Sequence, residues 1–136
     1  MEEQLNVLMH NMAIINQHSY ALICKKYGEG LGQKDLLVLI LLEKNGNVRM
    51  SELANKMDCP LSSMTSTIDK LVKQQYLIRY HSTEDRRAVV VDLGKKGKKI
   101  MANYNKHIKR RYDQMISNLT EIEKNQLSDV LHKLIL

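Results

Sequence analysis

The chain has 136 residues, 43% of them apolar and 26% charged, which is one domain's worth of ordinary globular sequence and excludes disordered and collagen-like classes. The formal net charge is +6, and the absence of Trp and Phe argues against an aromatic-stacking platform for single strands or RNA. The opening Met1-Glu2-Glu3-Gln4 is acidic where a signal peptide is basic, and no apolar run reaches membrane-spanning length, so a cytoplasmic address with no membrane partner is expected.

Leu5, Leu8, Met12, Ile15 and Leu22 recur at near-helical spacing, widened by Val7, Met9 and Ile14, and predict a first helix over about residues 5–27. Its N-terminal half is apolar nearly all round, more than one packing partner inside a small domain needs, which points to a second chain. Gly28, Gly30 and Gly32 break it. The unbroken run Leu36 to Leu42 reads as a buried strand or a buried helix. Its leucine content favours helix, over about residues 33–44, with Asn45-Gly46 as a left-handed stop. After a short extended piece at Asn47 to Met50, Ser51 is the expected N-cap of a short third helix whose inner face is Leu53, Ala54 and Met57.

Asp58-Cys59-Pro60 makes a break, and Leu61, Met64, Ile68, Leu71 and Val72 restart the helical period to about Gln74. Two short helices joined by a tight turn are the signature of a helix-turn-helix. Leu77 to Tyr80 and Ala88 to Asp92 read as the strands of a hairpin, and the charged connection His81 to Arg87 is long enough to protrude as a wing. A long helix follows, marked by Ile100, Met101, Tyr104, Ile108, Tyr112, Met115, Ile116 and Leu119 and ending near Asn118. Thr120-Glu121-Ile122-Glu123 fits a capping box for a last amphipathic helix carrying Leu127, Val130, Leu131, Leu134 and Ile135. The sequence stops on apolar Leu136, and packing of both termini into a dimer interface is the simplest reading. The expected fold class is mostly α with a small β-wing, a winged helix-turn-helix with N- and C-terminal dimerisation helices.

Charge follows the same division. Arg49 to Lys99 holds eleven Lys and Arg against six Asp and Glu, whereas the first 48 residues hold four against five and the last 37 hold six against four. The central third carries most of the basic excess, as a phosphate-facing element would.

The order of these elements resembles the MarR family of regulators (multiple-antibiotic-resistance type) over essentially the whole chain. Three motifs carry the resemblance. Leu53-Ala54 through Met57-Asp58-Cys59-Pro60-Leu61-Ser62-Ser63-Met64-Thr65, continued by Ile68-Asp69-Lys70-Leu71, looks like the family's turn and recognition helix. Asp85-Arg86-Arg87 matches its Asp-x-Arg wing signature. Leu93-Gly94-Lys95-Lys96-Gly97 is similar to its Leu-Thr-x-x-Gly stretch, with Gly94 in place of Thr, a change expected to matter little because Gly is a tolerable N-cap. Gln75 stands where the family has a helix-ending Gly, so it must adopt a left-handed conformation or end the helix otherwise. The resemblance implies a single domain over 1–136, with a DNA-binding lobe at 33–99 and dimerisation helices at 1–32 and 100–136. It also implies a homodimeric repressor of double-stranded DNA sites.

The solvent face of a recognition helix enters the major groove, so Ser62, Ser63, Thr65, Ser66, Lys70 and Lys73 are the candidate contacts. In the wing, Arg87 resembles the family's minor-groove arginine and Asp85 the carboxylate that orients its guanidinium, with Arg86 at the tip. A structural ion pair closing an exposed loop is the plainer reading of the wing. Arg49 and Ser51 are candidate phosphate anchors. Lys95, Lys96, Lys98 and Lys99 read equally well as solvated charge.

The family relationship adds a small-molecule effector to the candidate partners, with Tyr20, Tyr104 and Tyr112 as candidate lining, although tyrosines on helix faces usually pack. Cys24 and Cys59 lack CxxC spacing and read as buried thiols, and His10, His18, His81, His107 and His132 form no ligand pattern, so no metal and no cofactor is expected. No nucleotide loop, nucleophile elbow or paired carboxylate motif is present, and an enzyme is not expected. The competing reading is a winged helix used as a protein-interaction or anti-regulator module that does not bind DNA specifically.

Overall fold

A computed structural model describes residues 1–135, the last by its backbone alone. The expectations resting on the Ile135 side chain and on Leu136 fall outside the described residues. Among the described residues, six helices and three strands follow in the order α1 (Glu2–Tyr27), α2 (Gln33–Asn45), β1 (Val48–Arg49), α3 (Met50–Lys56), α4 (Leu61–Lys73), β2 (Leu77–His81), β3 (Val89–Leu93), α5 (Lys95–Met115) and α6 (Glu121–Ile135). The chain divides into two compact units, Met1–Tyr104 and Asn105–Leu136.

Within the first unit, the Leu-rich run folds as a helix, with Leu36, Val38, Leu39 and Leu42 buried. They meet Ile23 from α1, Leu53 and Ala54 from α3, Met64, Ile68 and Leu71 from α4, Leu77, Val91 and Leu93 from the sheet, and Ile100 and Met101 from α5 in one core. Burying each of the Leu, Ile, Val and Met side chains among them contributes about 1.5–3 kcal/mol. The predicted hairpin is antiparallel, with Leu77 opposite Leu93 and His81 opposite Val89. A third strand joins it: Val48 and Arg49 pair with Val91 and Val90, in the order β1-β3-β2. Two residues are too few to show an alternating pattern, which is why the sequence read this piece only as extended.

Several boundaries differ from expectation. Helix α1 begins at Glu2 and α5 ends at Met115, three residues short of the predicted end. Helix α3 begins at Met50 with Arg49 as N-cap and no side-chain cap bond, so Ser51 sits inside the first turn rather than capping it. The strand pairing of Arg49 holds its backbone extended up to the helix start. Gly46 does stop α2 with a positive φ of 73°, but its ψ of −154° is outside the left-handed helical region and open in practice to glycine alone.

The two tight joints of the helix-turn-helix are built alike. After α3, Cys59 N–H donates to the Ala54 carbonyl (3.1 Å) and Asp58 N–H to that of Asn55 (3.1 Å), with Asp58 at φ 49°. After α4, Tyr76 N–H donates to Leu71 (2.9 Å) and Gln75 N–H to Val72 (3.0 Å), with Gln75 at φ 66°. Each is a Schellman closure around a left-handed residue. Gln75 therefore takes the strained conformation at a site where glycine is at ease. Gln75→Gly is expected to stabilise the fold by about 1 kcal/mol, raising the melting temperature by roughly 3–5 °C in thermal unfolding followed by circular dichroism.

Gly94 is more than a tolerable cap. A β-carbon there would stand 2.7 Å from the Gln75 carbonyl oxygen, and its N–H donates to the Tyr76 carbonyl at 2.8 Å. The two departures from the family motif thus lie against each other, and the replacement of Thr is a packing requirement of this backbone.

In the second unit, Thr120 and Glu123 form the predicted capping box. Thr120 N–H donates to Glu123 Oε2 (2.8 Å) and Glu123 N–H to Thr120 Oγ1 (3.3 Å). The Thr120 backbone bond, then its hydroxyl, holds the Glu123 carboxyl below its ordinary pKa.

Candidate nucleic-acid interface

Met64, Ile68 and Leu71 anchor α4 in the core with no exposed surface. They fix its opposite face outward. Ser62, Ser66, Lys70 and Lys73 lie on that exposed face, while Ser63 and Thr65 are half-buried. The N-terminal end of α4, the start of α3 and the root of the wing enclose a cleft of about 310 Å³. Arg49, Ser51, Leu61, Thr65, Asp85 and Arg87 are among the residues that line it. Five of the predicted site residues are thereby brought together from three separate segments.

The wing is held by its own backbone. Ser82 N–H donates to the Ala88 carbonyl and Ala88 N–H to that of Asp85, both at 3.0 Å. The Ser82 hydroxyl oxygen accepts from the amides of Glu84 (3.3 Å) and Asp85 (3.5 Å). Asp85 Oδ1 accepts from the Arg87 backbone N–H at 3.0 Å, so this carboxylate shapes the turn rather than gripping the Arg87 guanidinium. Arg86 and Arg87 are exposed, and neither forms an ion pair with any described residue. Two free cations on a braced, protruding turn are disposed to meet an external anion.

Three of the recognition-helix candidates have partners within the fold. Lys70 pairs with Asp35, a carboxylate only 5% exposed, which also accepts the Gly32 N–H at 2.9 Å at the start of α2. Lys70 therefore compensates a buried charge across 35 residues of sequence, a separation no local pattern reveals. The Ser63 hydroxyl accepts from Lys34 Nζ at 3.3 Å. The Thr65 hydroxyl lies 2.9 Å from the Leu61 carbonyl and 3.4 Å from Met50 Sδ, so its proton is used within the fold. Ser62, Ser66 and Lys73 keep side chains with no partner among the described residues.

Leu61, assigned by its spacing to the core, is 52% exposed and faces the cleft. Its period with Met64 and Ile68 is correct, yet α4 meets the core only from its second turn. Asp69 pairs with Arg79 of β2 on the exposed side, an ion pair that contributes less than about 1 kcal/mol at such exposure.

At the other end of α4, about 20 Å along the axis, Lys96 and Lys99 border a separate groove with Lys26, Gln74 and Tyr76, so these two lysines stand away from the wing. Tyr20 and Tyr104 lie with ring centroids 6.0 Å apart and planes tilted by 34°, and both pack on the core. Burial, then Tyr20, pushes the Tyr104 phenol up. Burial, then Asp35, likewise raises the Cys24 thiol, which disfavours the reactive thiolate. Among the described residues no three His, Cys, Asp or Glu side chains gather as metal ligands. No described helix is long and apolar enough to cross a membrane.

A helix-turn-helix with an outward second helix, flanked by a basic β-wing on a three-stranded sheet, defines a winged helix-turn-helix protein. The MarR family profile matches residues 31–89. The chain is 33% identical over 110 residues to the HTH-type transcriptional repressor MdtR of Bacillus subtilis, covering 78% of this chain and 68% of MdtR. It is 41% identical over 70 residues to the HTH-type transcriptional regulator YfiV of the same organism, covering 52% of this chain but only 44% of YfiV. In fold it is similar to FabT of Streptococcus pneumoniae, solved in complex with DNA, with a TM-score of 0.76, 22% identity, and coverage of 98% of this chain and 92% of FabT. The chain belongs to the MarR family of transcriptional regulators, whose members are not enzymes.

Proposed function

We propose that this protein is a cytoplasmic, sequence-specific repressor that binds double-stranded DNA as a homodimer on a pseudo-palindromic operator. The observation that carries this reading is the convergence of Arg49, Ser51, Thr65 and Arg87 on one cleft beside the exposed face of α4. In that arrangement Ser62 and Ser66 face base edges in the major groove and Lys73 the phosphate backbone. Arg87, with Arg86 beside it, reaches the adjacent minor groove, while Arg49 and Ser51 hold phosphates at the start of α3. The DNA-bound state of FabT supports this use of the fold, and the repressor activity named for MdtR supports the sign of regulation.

Residues 33–99 form the reading lobe in this proposal, and 1–32 with 100–136 the dimerisation segments. The support is the unpartnered apolar surface of α1, where Leu5, Val7, Leu8, Met9 and Ile14 are each more than half exposed. An isolated soluble chain rarely leaves so much contiguous apolar surface wet. A small-molecule effector is part of the proposal through the 4-hydroxyphenylacetate complex of NadR, a further relative in fold.

The test is titration against random-sequence and selected duplexes at two salt concentrations. Counterion release makes affinity fall steeply with salt, by about tenfold or more between roughly 0.1 and 0.3 M. No binding, or binding that salt does not move, would overturn the reading in favour of a protein-interaction module.

A further inference from the structure

The recognition helix opens on an apolar side chain in a polar and basic setting. Leu61 is the first residue of α4 and 52% exposed, whereas the other apolar side chains of that helix are buried or half-buried. Around it stand Arg49, Ser51 and Arg87. One turn on, Thr65 spends its hydroxyl proton on the Leu61 carbonyl or the Met50 sulfur, leaving its methyl as the group it can offer outward. The next inward hydroxyl, that of half-buried Ser63, accepts from Lys34 Nζ. This end of α4 is therefore an exposed apolar spot ringed by cations, with the neighbouring Ser62 hydroxyl uncommitted beside it.

Resting on the DNA-binding reading above, we infer that Leu61, with the methyl of Thr65, recognises the 5-methyl group of a thymine in the major groove. Of the four bases only thymine presents an apolar group on that edge. Purines present N7 acceptors and cytosine an amino donor, and against the Leu61 side chain itself each would lose water without gaining a partner. Arg49 and Arg87 supply the attraction to the backbone, which is blind to sequence. The apolar pair supplies a preference at one base position in each half-site. Desolvating a single methyl group against Leu61 favours thymine over its demethylated analogue by about fourfold.

The experiment uses the full chain and duplexes selected by it from a randomised pool. Each thymidine of the selected site is replaced in turn by deoxyuridine, which removes the methyl and nothing else. The expected result is one position per half-site where uracil weakens binding by about fourfold. Leu61→Ala should abolish that difference by binding the thymine and uracil duplexes equally. Leu61→Met, which keeps an apolar contact, should retain most of it, and Arg87→Ala should weaken both duplexes alike. A selected site with no uracil-sensitive position, or a uracil penalty unchanged in Leu61→Ala, overturns the assignment of Leu61. Failure of the wild-type chain to select any site overturns the DNA-binding reading itself. The uracil scan of the wild type decides the matter even if a variant folds poorly.

Discussion

Arg87→Ala is expected to lower affinity for a selected duplex by roughly ten- to hundredfold while leaving the melting temperature within about 1 °C. The contrast follows from what holds the wing. Its turn is closed by Ser82, Asp85 and Ala88 through backbone amides and carbonyls, and the carboxylate of Asp85 reaches the Arg87 backbone N–H. The guanidinium braces nothing, so its removal takes away a cation without loosening the turn. Lys70→Ala is the opposite case. Its partner Asp35 is buried and would be left without its cation, at a cost of about 1–2 kcal/mol after allowing for the half-exposed ammonium. Fluorescence anisotropy on a labelled duplex, run beside thermal unfolding, separates the two. Equal losses of affinity at equal stability would mean that Lys70 does serve the DNA face.

Gly97→Ala is expected to be the most damaging single methyl addition in the first unit. Gly97 lies in the first turn of α5, and a β-carbon there would fall on the Tyr76 carbonyl oxygen, deep inside van der Waals contact, with Leu93 Cδ2 at 3.3 Å. That carbonyl cannot retreat freely. It accepts the Gly94 N–H, and the neighbouring Gln75 carbonyl accepts the Lys96 N–H at 3.3 Å. The start of β2 and the start of α5 are locked backbone to backbone, and Tyr76, Leu77 and Ile100 are buried beside the joint. Separating them costs about 3 kcal/mol or more, a large part of the 5–15 kcal/mol that holds a typical domain together. A melting temperature lowered by roughly 10 °C or more is the expected result, and a shift under about 2 °C would show that α5 slides freely.

The helices were legible where their signals are local. The period of α4, that of α5 as far as Met115, the Thr120-Glu123 box and the special ending required at Gln75 each depend on residues within one or two turns, and these stand in the structure. Errors of boundary arose where a neighbour intervened, as at Arg49, whose pairing with Val90 displaces the cap expected at Ser51. The wing was legible as charge and length, but not the partner of Asp85, because a carboxylate two residues from an arginine reaches the backbone amide as readily as the guanidinium.

The sequence by itself determined a mostly helical, basic chain with a helix-turn-helix and a charged wing. Helix periods, Schellman ends and strand propensity are short-range properties of the backbone and of adjacent side chains. Only the tertiary structure decided which face-lying groups remain free. It took Lys70 to Asp35, Ser63 to Lys34 and the Thr65 hydroxyl back to its own helix, and it turned Leu61 outward. The physical reason is that a polar group's availability depends on what packs within about 3 Å of it. Those neighbours come from segments that local periodicity does not register.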